Sequence, residues 1–362
     1  MLINTAQLKE ITNNATLSTA KEKDSILYNT LIKIENKKLT AISMNNITTL
    51  TQTAETDTEE NISFVIDTQK LSGILKEINT ENIELNINER TLTIKAENFK
   101  TTIKIQDGQM FPQLPKKEYK PITKIEAEVL KKLIKETIYC PDKNDISREY
   151  TGIYIEFEQE KIKATATDHY RLINISASKS SNTEESLIIE NAGATLINRI
   201  PLNGEIEILK SEDEIMIKSE NLNITSKLIN SAFPDYNQIL LNKETSNTVE
   251  LNRSEFKDAI RRSSILSSNR EITIEVNLNE KKATIKAQNQ EGETAEDIIE
   301  INPKQAESNL IIKLDSKFIL DFLNQTNSET VDMIYKTGED PIMFKAEEDI
   351  YSYKYIMTPI IE

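Results

Sequence analysis

The chain has 362 residues, enough for two or three domains with their own cores, and its 44 Lys and Arg against 59 Asp and Glu leave a net charge of −15. One cysteine, Cys140, and one histidine, His169, exclude a disulfide framework and a cysteine-rich metal site and leave little room for histidine-based chemistry. Seven glycines, with neither GxGxxG nor GxxxxGK[ST], remove the usual support for dinucleotide or nucleoside triphosphate binding, and the net field cannot attract a polyanion, so any basic face must be local.

The start MLINTAQLKEIT lacks the basic-then-apolar order of a secretory signal, and no window approaches 18 apolar residues, which reads as a soluble, intracellular protein. Fifty-four isoleucines, with Thr and Val, favour half-buried strands. In chain order, Leu8, Ile11 and Ala15 predict an opening helix, Lys38 to Asn46 an alternating strand, and Leu71, Ile74, Leu75 and Ile78 a second helix. Strands at Ile83 to Ile87 and Leu92 to Glu97 follow, and Phe111-Pro112 closes the series.

The series then returns. Leu130, Leu133, Ile134 and Ile138 predict a helix, Lys161 to Asp168 a strand, and Leu196, Ile197 and Ile200 a helix. Strands Ile206 to Leu209 and Ile215 to Glu220 lead to Phe233-Pro234, 122 residues after Phe111-Pro112. A third copy runs through Phe256, Ala259 and Ile260, the strand Lys282 to Asn289, the helix Phe318, Ile319, Phe322 and Leu323, and strands Val331 to Tyr335 and Ile342 to Glu347, ending on Thr358-Pro359. A period near 122 is far above solenoid repeats, so each copy is expected to be an α+β domain with its own core: 1–120, 121–244 and 245–362.

Positive charge collects on these helices. Arg253, Lys257 and Arg261 fall at i, i+4 and i+8, forming one stripe beside Phe256 and Ile260. Lys131, Lys132 and Lys135 lie on the corresponding helix of the second copy, and Lys70, Lys76, Arg199 and Lys317 on the mid-copy helices. One such helix alone reads as a solvated face balanced by neighbours such as Glu128 and Asp258; its recurrence in all three copies favours a shared basic surface. That surface would meet nucleic acid through phosphates, without reading bases. Aromatics are too sparse there for a single-strand stacking platform.

Three short motifs carry a resemblance: Ala166-Thr-Asp-His-Tyr-Arg-Leu172, Phe233-Pro-Asp-Tyr236 and the tail Tyr355-Ile-Met-Thr-Pro-Ile360. In this order and spacing, and with the three-fold repeat, the chain resembles the bacterial DNA polymerase III β subunit, the replicative sliding clamp. The resemblance implies three DNA-clamp domains, each with two helices on antiparallel sheets, assembled as a head-to-tail homodimeric ring. That ring would encircle double-stranded DNA without regard to sequence and tether polymerase, clamp loader and repair proteins through short peptides carrying a Gln and apolar anchors. No cofactor, metal or membrane is implied. The implied peptide groove takes Tyr150, Thr167, His169, Tyr170, Arg171, Leu172, Pro234, Gln238, Ile239, Phe318, Pro341, Met357, Thr358, Pro359, Ile360 and Ile361. The family often has Gly-His where His169-Tyr170 stands, and a basic residue at Gln238 and Ile361. The resemblance also implies a dimer interface at Phe111, Ile265 and Leu266, and DNA contacts at Lys21, Lys23 and Arg148 beside the helical cations.

Asp168-His169 also invites a catalytic reading, since Asp can orient a His base. Adjacent strand residues point to opposite faces, however, and no positioned Ser or Cys nucleophile is evident; Cys140 reads as an ordinary helical residue and Asp168 as the brace of a turn. An enzyme using scattered carboxylates and an acidic scaffold rank below the clamp.

Overall fold

The structure, a computed structural model, describes residues 1–181, 183–240 and 246–361. The expected boundary at 244/245 lies outside the described residues. The first repeat holds β1 (Leu2–Asn4), α1 (Thr5–Ala15), β2 (Asn29–Glu35), β3 (Lys38–Met44), β4 (Thr48–Glu55), β5 (Ile62–Asp67), α2 (Thr68–Lys76), β6 (Asn82–Asn88), β7 (Thr91–Ala96) and β8 (Phe99–Asp107). The second holds β9 (Lys120–Glu126), α3 (Ala127–Lys135), β10 (Gly152–Phe157), β11 (Ile162–Thr167), β12 (Arg171–Ala177), β13 (Glu185–Glu190), α4 (Asn191–Arg199), β14 (Glu205–Lys210), β15 (Glu214–Lys218) and β16 (Leu222–Lys227). The third holds β17 (Asn247–Asn252), α5 (Arg253–Ser264), β18 (Glu271–Asn277), β19 (Lys282–Gln288), β20 (Thr294–Gln305), β21 (Leu310–Asp315), α6 (Ser316–Gln325), β22 (Thr330–Tyr335), β23 (Ile342–Glu348) and β24 (Tyr351–Met357). Every sequence-predicted helix and strand is present in its repeat. The helices stop earlier than the apolar spacing suggests: Ile78, Ile138 and Ile200 lie just past α2, α3 and α4, continuing the apolar face into the exit turn.

Among the described residues the strands form two sheets of twelve, in the order β1-β6-β7-β8-β5-β2-β3-β4-β16-β15-β14-β9 and β13-β10-β11-β12-β24-β23-β22-β17-β20-β19-β18-β21. The chain divides into two compact units, Met1–Lys131 with Ile189–Asn230, and Lys132–Ile188 with Ser231–Glu362. Each sheet joins two repeats by the same device: β4 pairs antiparallel with β16, and β12 with β24.

Helix caps follow the sequence. Asn4, Asp67, Asn252 and Asp315 each accept a hydrogen bond from a backbone N–H in the first turn of α1, α2, α5 and α6. One cation per repeat then ties the opening helix to the carbonyl end of the second. Lys9 reaches Ile78 O, Lys131 donates to Ile200 O at 2.7 Å, and Arg253 donates to Ser328 O at 2.7 Å and Leu323 O at 3.2 Å. These carbonyls lie in the last turn of the second helix or just past it, where the helix dipole is negative; Ile200 O also accepts from Leu202 N at 2.9 Å. Among the residues expected to face DNA, Lys131 and Arg253 are therefore committed to the fold.

Gly193 in α4 rests directly on β16: a Cβ there would stand 1.9 Å from Ser226 Oγ and 2.5 Å from its Cβ. Gly193→Ala should lower stability by about 1–3 kcal/mol through overpacking. Adding Ser226→Gly, which removes both offending atoms, should return a large part of the loss in urea denaturation.

Candidate functional site

The ATDHYRL motif forms the end of β11, a tight turn and the start of β12. Asp168 Oδ1 accepts the backbone N–H of Tyr170 at 3.2 Å and of Arg171 at 3.0 Å, which braces the turn, and His169 takes a left-handed φ of 72°. Thr167 Oγ1 donates to Arg171 O at 2.7 Å and closes it. The tail clips on here: Thr358 N donates to Tyr170 O at 2.9 Å, and Ile360 N to Lys313 O at 2.9 Å on β21. Tyr170, 66 % exposed, and Ile361, 71 % exposed, stand beside this junction.

Beneath the turn lies Arg171, 7 % exposed. Its Nε donates to Asp168 Oδ2 at 2.9 Å, Nη1 to Asp321 Oδ2 at 2.6 Å and Nη2 to Tyr139 O at 3.2 Å, while its guanidinium lies 4.1 Å from the centroid of the Phe318 ring. Arg171 was expected to contact a peptide. Strand alternation instead turns it, with Met357 opposite it in the ladder, to the helix side with Tyr355, which stacks on Phe322 of α6 at 5.0 Å. Met357, 1 % exposed, is likewise a buried support. Leu172 and Ile356 face the other way, and sequence reasoning passed over Ile356 although it sits two positions from Thr358.

On that opposite face Ile356, Met343 and Ile334 form an apolar row with Leu240 packed against it, and Leu172 is the cross-strand neighbour of Ile356. Pro234, Gln238 and Ile239 border it from the segment 233–240. They are exposed, and Tyr236 anchors the segment by donating from its hydroxyl to Glu156 Oε2 at 2.5 Å and accepting from Asn174 Nδ2 at 3.3 Å. Phe233 stacks on Tyr154 at 4.7 Å, and Asp235 caps the turn at Asn237 N and holds the Gln238 amide at 3.1 Å. Phe318, Pro341, Pro359 and Ile360 are half-buried.

His169 does not face Asp168. Its Nε2 lies 2.7 Å from Asp145 Oδ2, and Tyr150 packs its ring 3.9 Å from the imidazole. The Ser147 N–H and then His169 hold the Asp145 carboxyl below the usual range. Asp145, Asp321 and Tyr139 carry no sequence signal, because they reach the site from 24 to 150 residues away. Cys140 is not helical: it lies in the buried turn after α3, its Sγ 3.7 Å from Arg171 O, and burial pushes its thiol pKa well up, the opposite of an activated nucleophile.

The other expected contacts divide. Lys21, Lys23, Lys70, Lys76, Lys135, Arg148, Arg199 and Arg261 are exposed, with Lys70 paired to Asp67 at 3.1 Å. Lys257 is half-buried, and burial, then Arg261 and Arg253, lower its pKa, so like charges do converge on α5. Lys132 belongs to a half-buried network with Glu136 at 2.9 Å and Glu348 at 3.1 Å. Ile265 is 80 % exposed and Leu266 half-buried, whereas Phe111 is 3 % exposed, packed with Leu31, Ile42, Met44 and Val65; its ring is core of its own domain.

A row of apolar side chains framed by a braced turn and the chain's own tail has the makings of a surface that binds an extended segment. Family models for the DNA polymerase III beta subunit match in three consecutive parts: the N-terminal domain at residues 1–115, the central domain at 124–235 and the C-terminal domain at 238–360. The beta sliding clamp of Buchnera aphidicola from Acyrthosiphon pisum is 27 % identical over 330 residues, covering 90 % of this chain and 89 % of its own. That of Bacillus subtilis is 25 % identical over 214 residues, 57 % of this chain and 55 % of its own. The crystal structure of the Pseudomonas aeruginosa DNA polymerase III subunit beta shares the fold, with a TM-score of 0.93 at 22 % identity over all of both chains. A P. aeruginosa clamp bound to griselimycin superposes with a TM-score of 0.92 at 22 % identity, covering 100 % of this chain and 99 % of its own. The chain belongs to the DNA polymerase III beta subunit family. It is a sliding clamp, a non-catalytic processivity factor.

Arg171 is a buried charge whose removal leaves Asp168 without its cation and Asp321 with Lys317 alone, at 2.6 Å. Arg171→Ala should cost about 3–5 kcal/mol in urea denaturation; a loss within about 0.5 kcal/mol, the level of an ordinary surface change, would show that the guanidinium carries no load.

Proposed function

We propose that two copies of this chain, each of three domains at 1–120, 121–244 and 245–362, close head to tail around duplex DNA and hold polymerase by a peptide seated on the Leu172, Ile356, Met343 and Ile334 row. The observation that carries the closure is a pair of open strand edges. β4 pairs with β16 and β12 with β24, but the equivalent strands β20 and β8 have, among the described residues, no partner on the outer edge over Thr294–Glu300 and Phe99–Lys104. Long open edges are templates for a further strand, and complementary edges on the first and third repeats suit a head-to-tail copy. Ile265, Leu266 and Ile298, 54 % exposed, flank the β20 edge, to which Arg262 ties α5 through Asp297 at 2.5 Å.

The repeat also supplies the register. Gln288↔Thr294 corresponds to Thr167↔Leu172, and Leu172↔Ile356 corresponds to Thr294 against Thr102 of the second copy. Glu296 then faces Lys100. Both are exposed, and Lys100 meets only Lys95 within its own ladder. Lys100→Glu should shift the dimer to monomer in sedimentation, and Glu296→Lys in the same chain should restore the dimer.

Duplex DNA is met by Lys21, Lys23, Lys70, Lys76, Lys135, Arg148, Arg199, Lys257 and Arg261, a thin cationic lining that binds phosphates weakly enough to slide. Such a clamp works in the cytoplasm, at the nucleoid. The groove takes its borders from Tyr150, His169, Tyr170, Pro234, Gln238, Ile239, Phe318, Pro341 and the tail from Thr358 to Ile361. Loaded on nicked circular DNA, the protein should stay bound until the circle is linearised; truncation after Met357 should keep that retention and abolish peptide binding. Release from intact circles would contradict encirclement.

A further inference from the structure

Two residues along the strands from the apolar row, on the same face, β12, β24 and β23 present Asn174, Lys354 and Lys345 side by side, with Asn174 opposite Lys354 and Lys354 opposite Lys345. The spacing between the two rows is about 7 Å. Lys161 and Lys163 enter from the start of β11, so four lysines gather in a chain whose net charge is −15. Four nearby carboxylates are already engaged: Glu158 pairs with Lys163 and Lys161, Glu347 with Lys345 at 2.5 Å, Asp332, opposite Lys345, with Lys304 at 2.7 Å, and Glu156, opposite Lys163, accepts from the Tyr236 hydroxyl at 2.5 Å. Lys354 is half-buried and, among the described residues, has neither an ion pair nor a hydrogen bond.

A half-buried ammonium without a counter-charge is costly unless something supplies one. Burial and then Lys345, Lys161 and Lys163 hold the Lys354 pKa below the ordinary lysine range, with Glu347 acting in the opposite sense. The place of Lys354 decides the occupant. The lysines adjoin the apolar floor without a break in the sheet, so a chain segment whose anchors fill that floor brings its next residues over them.

We propose that Lys354, with Lys345 and Lys163, forms a cationic shelf that extends the groove and selects partner peptides carrying an Asp or Glu about two residues from an apolar anchor. The proposal rests on the groove reading above. The apolar row supplies burial for any anchor, and the shelf discriminates among peptides whose anchors are alike. Lys354 gains most, because it alone of the four has no carboxylate of its own to give up. On the other side of the row the exposed Lys336 follows Ile334 by two residues on the same face, so the Lys354→Gln comparison is what assigns an acidic peptide's advantage to the shelf.

The experiment uses fluorescein-labelled peptides with a Gln and two apolar anchors: one neutral, one with Glu two residues beyond the anchors on one side, and one with Glu on the other side. Fluorescence anisotropy with the full-length dimer should show one acidic peptide binding about tenfold tighter than the neutral one, the advantage shrinking as salt is raised from low to high. Lys354→Gln should erase the advantage while leaving the neutral peptide's affinity unchanged, which also shows the sheet intact. Lys345→Gln should reduce it. Equal binding of all three peptides to the wild-type dimer, or an advantage that survives Lys354→Gln, overturns the shelf and leaves the groove standing. Failure of every peptide to bind overturns the groove itself, and the shelf with it.

Discussion

The interaction on which this structure depends is strand pairing across repeats, because a long exposed β-sheet edge is a template for another strand. The strand that ends the second repeat and the strand that ends the third present an outer row of N–H and C=O groups that a strand of the preceding repeat satisfies. Within the chain this is met twice, by β4 with β16 and by β12 with β24. Each pairing fuses two repeats into one sheet of twelve strands, which is why the chain condenses into two units although its sequence repeats three times. The remaining edges on β8 and β20 are complementary in position and in charge.

The second theme is the division of labour among charges. In a chain of −15, several cations that sequence alone would assign to a shared basic surface or to the peptide groove serve the fold instead. Lys131 and Arg253 neutralise helix C-terminal carbonyls, Lys132 joins a half-buried network, and Arg171 braces the groove from beneath. What is left for DNA is sparse, which suits a protein that encloses its track rather than gripping it. Lys354 is the exception in the opposite sense: among the described residues it has neither an ion pair nor a hydrogen bond.

The groove shows how alternation along a strand decides function. Arg171 and Leu172 are neighbours in one motif, yet one holds the turn against α6 and the other floors the groove. Met357 and Ile356 divide in the same way. The motif was legible in sequence; the face each member takes was not, because the register of β12 against β24 joins residues more than 180 positions apart.

By itself the sequence determined the three-fold repeat, the helices and strands of each copy, the turn braced by Asp168 and the position of the tail at the site. These follow from local periodicity, capping and turn chemistry, which act over a few residues. Only the tertiary structure decided that Phe111 is core, that Cys140 lies in a buried turn, that His169 meets Asp145, and which cations are spent on the fold. Those outcomes depend on strand register and on desolvation by distant neighbours, neither of which is written in the spacing of residues along the chain.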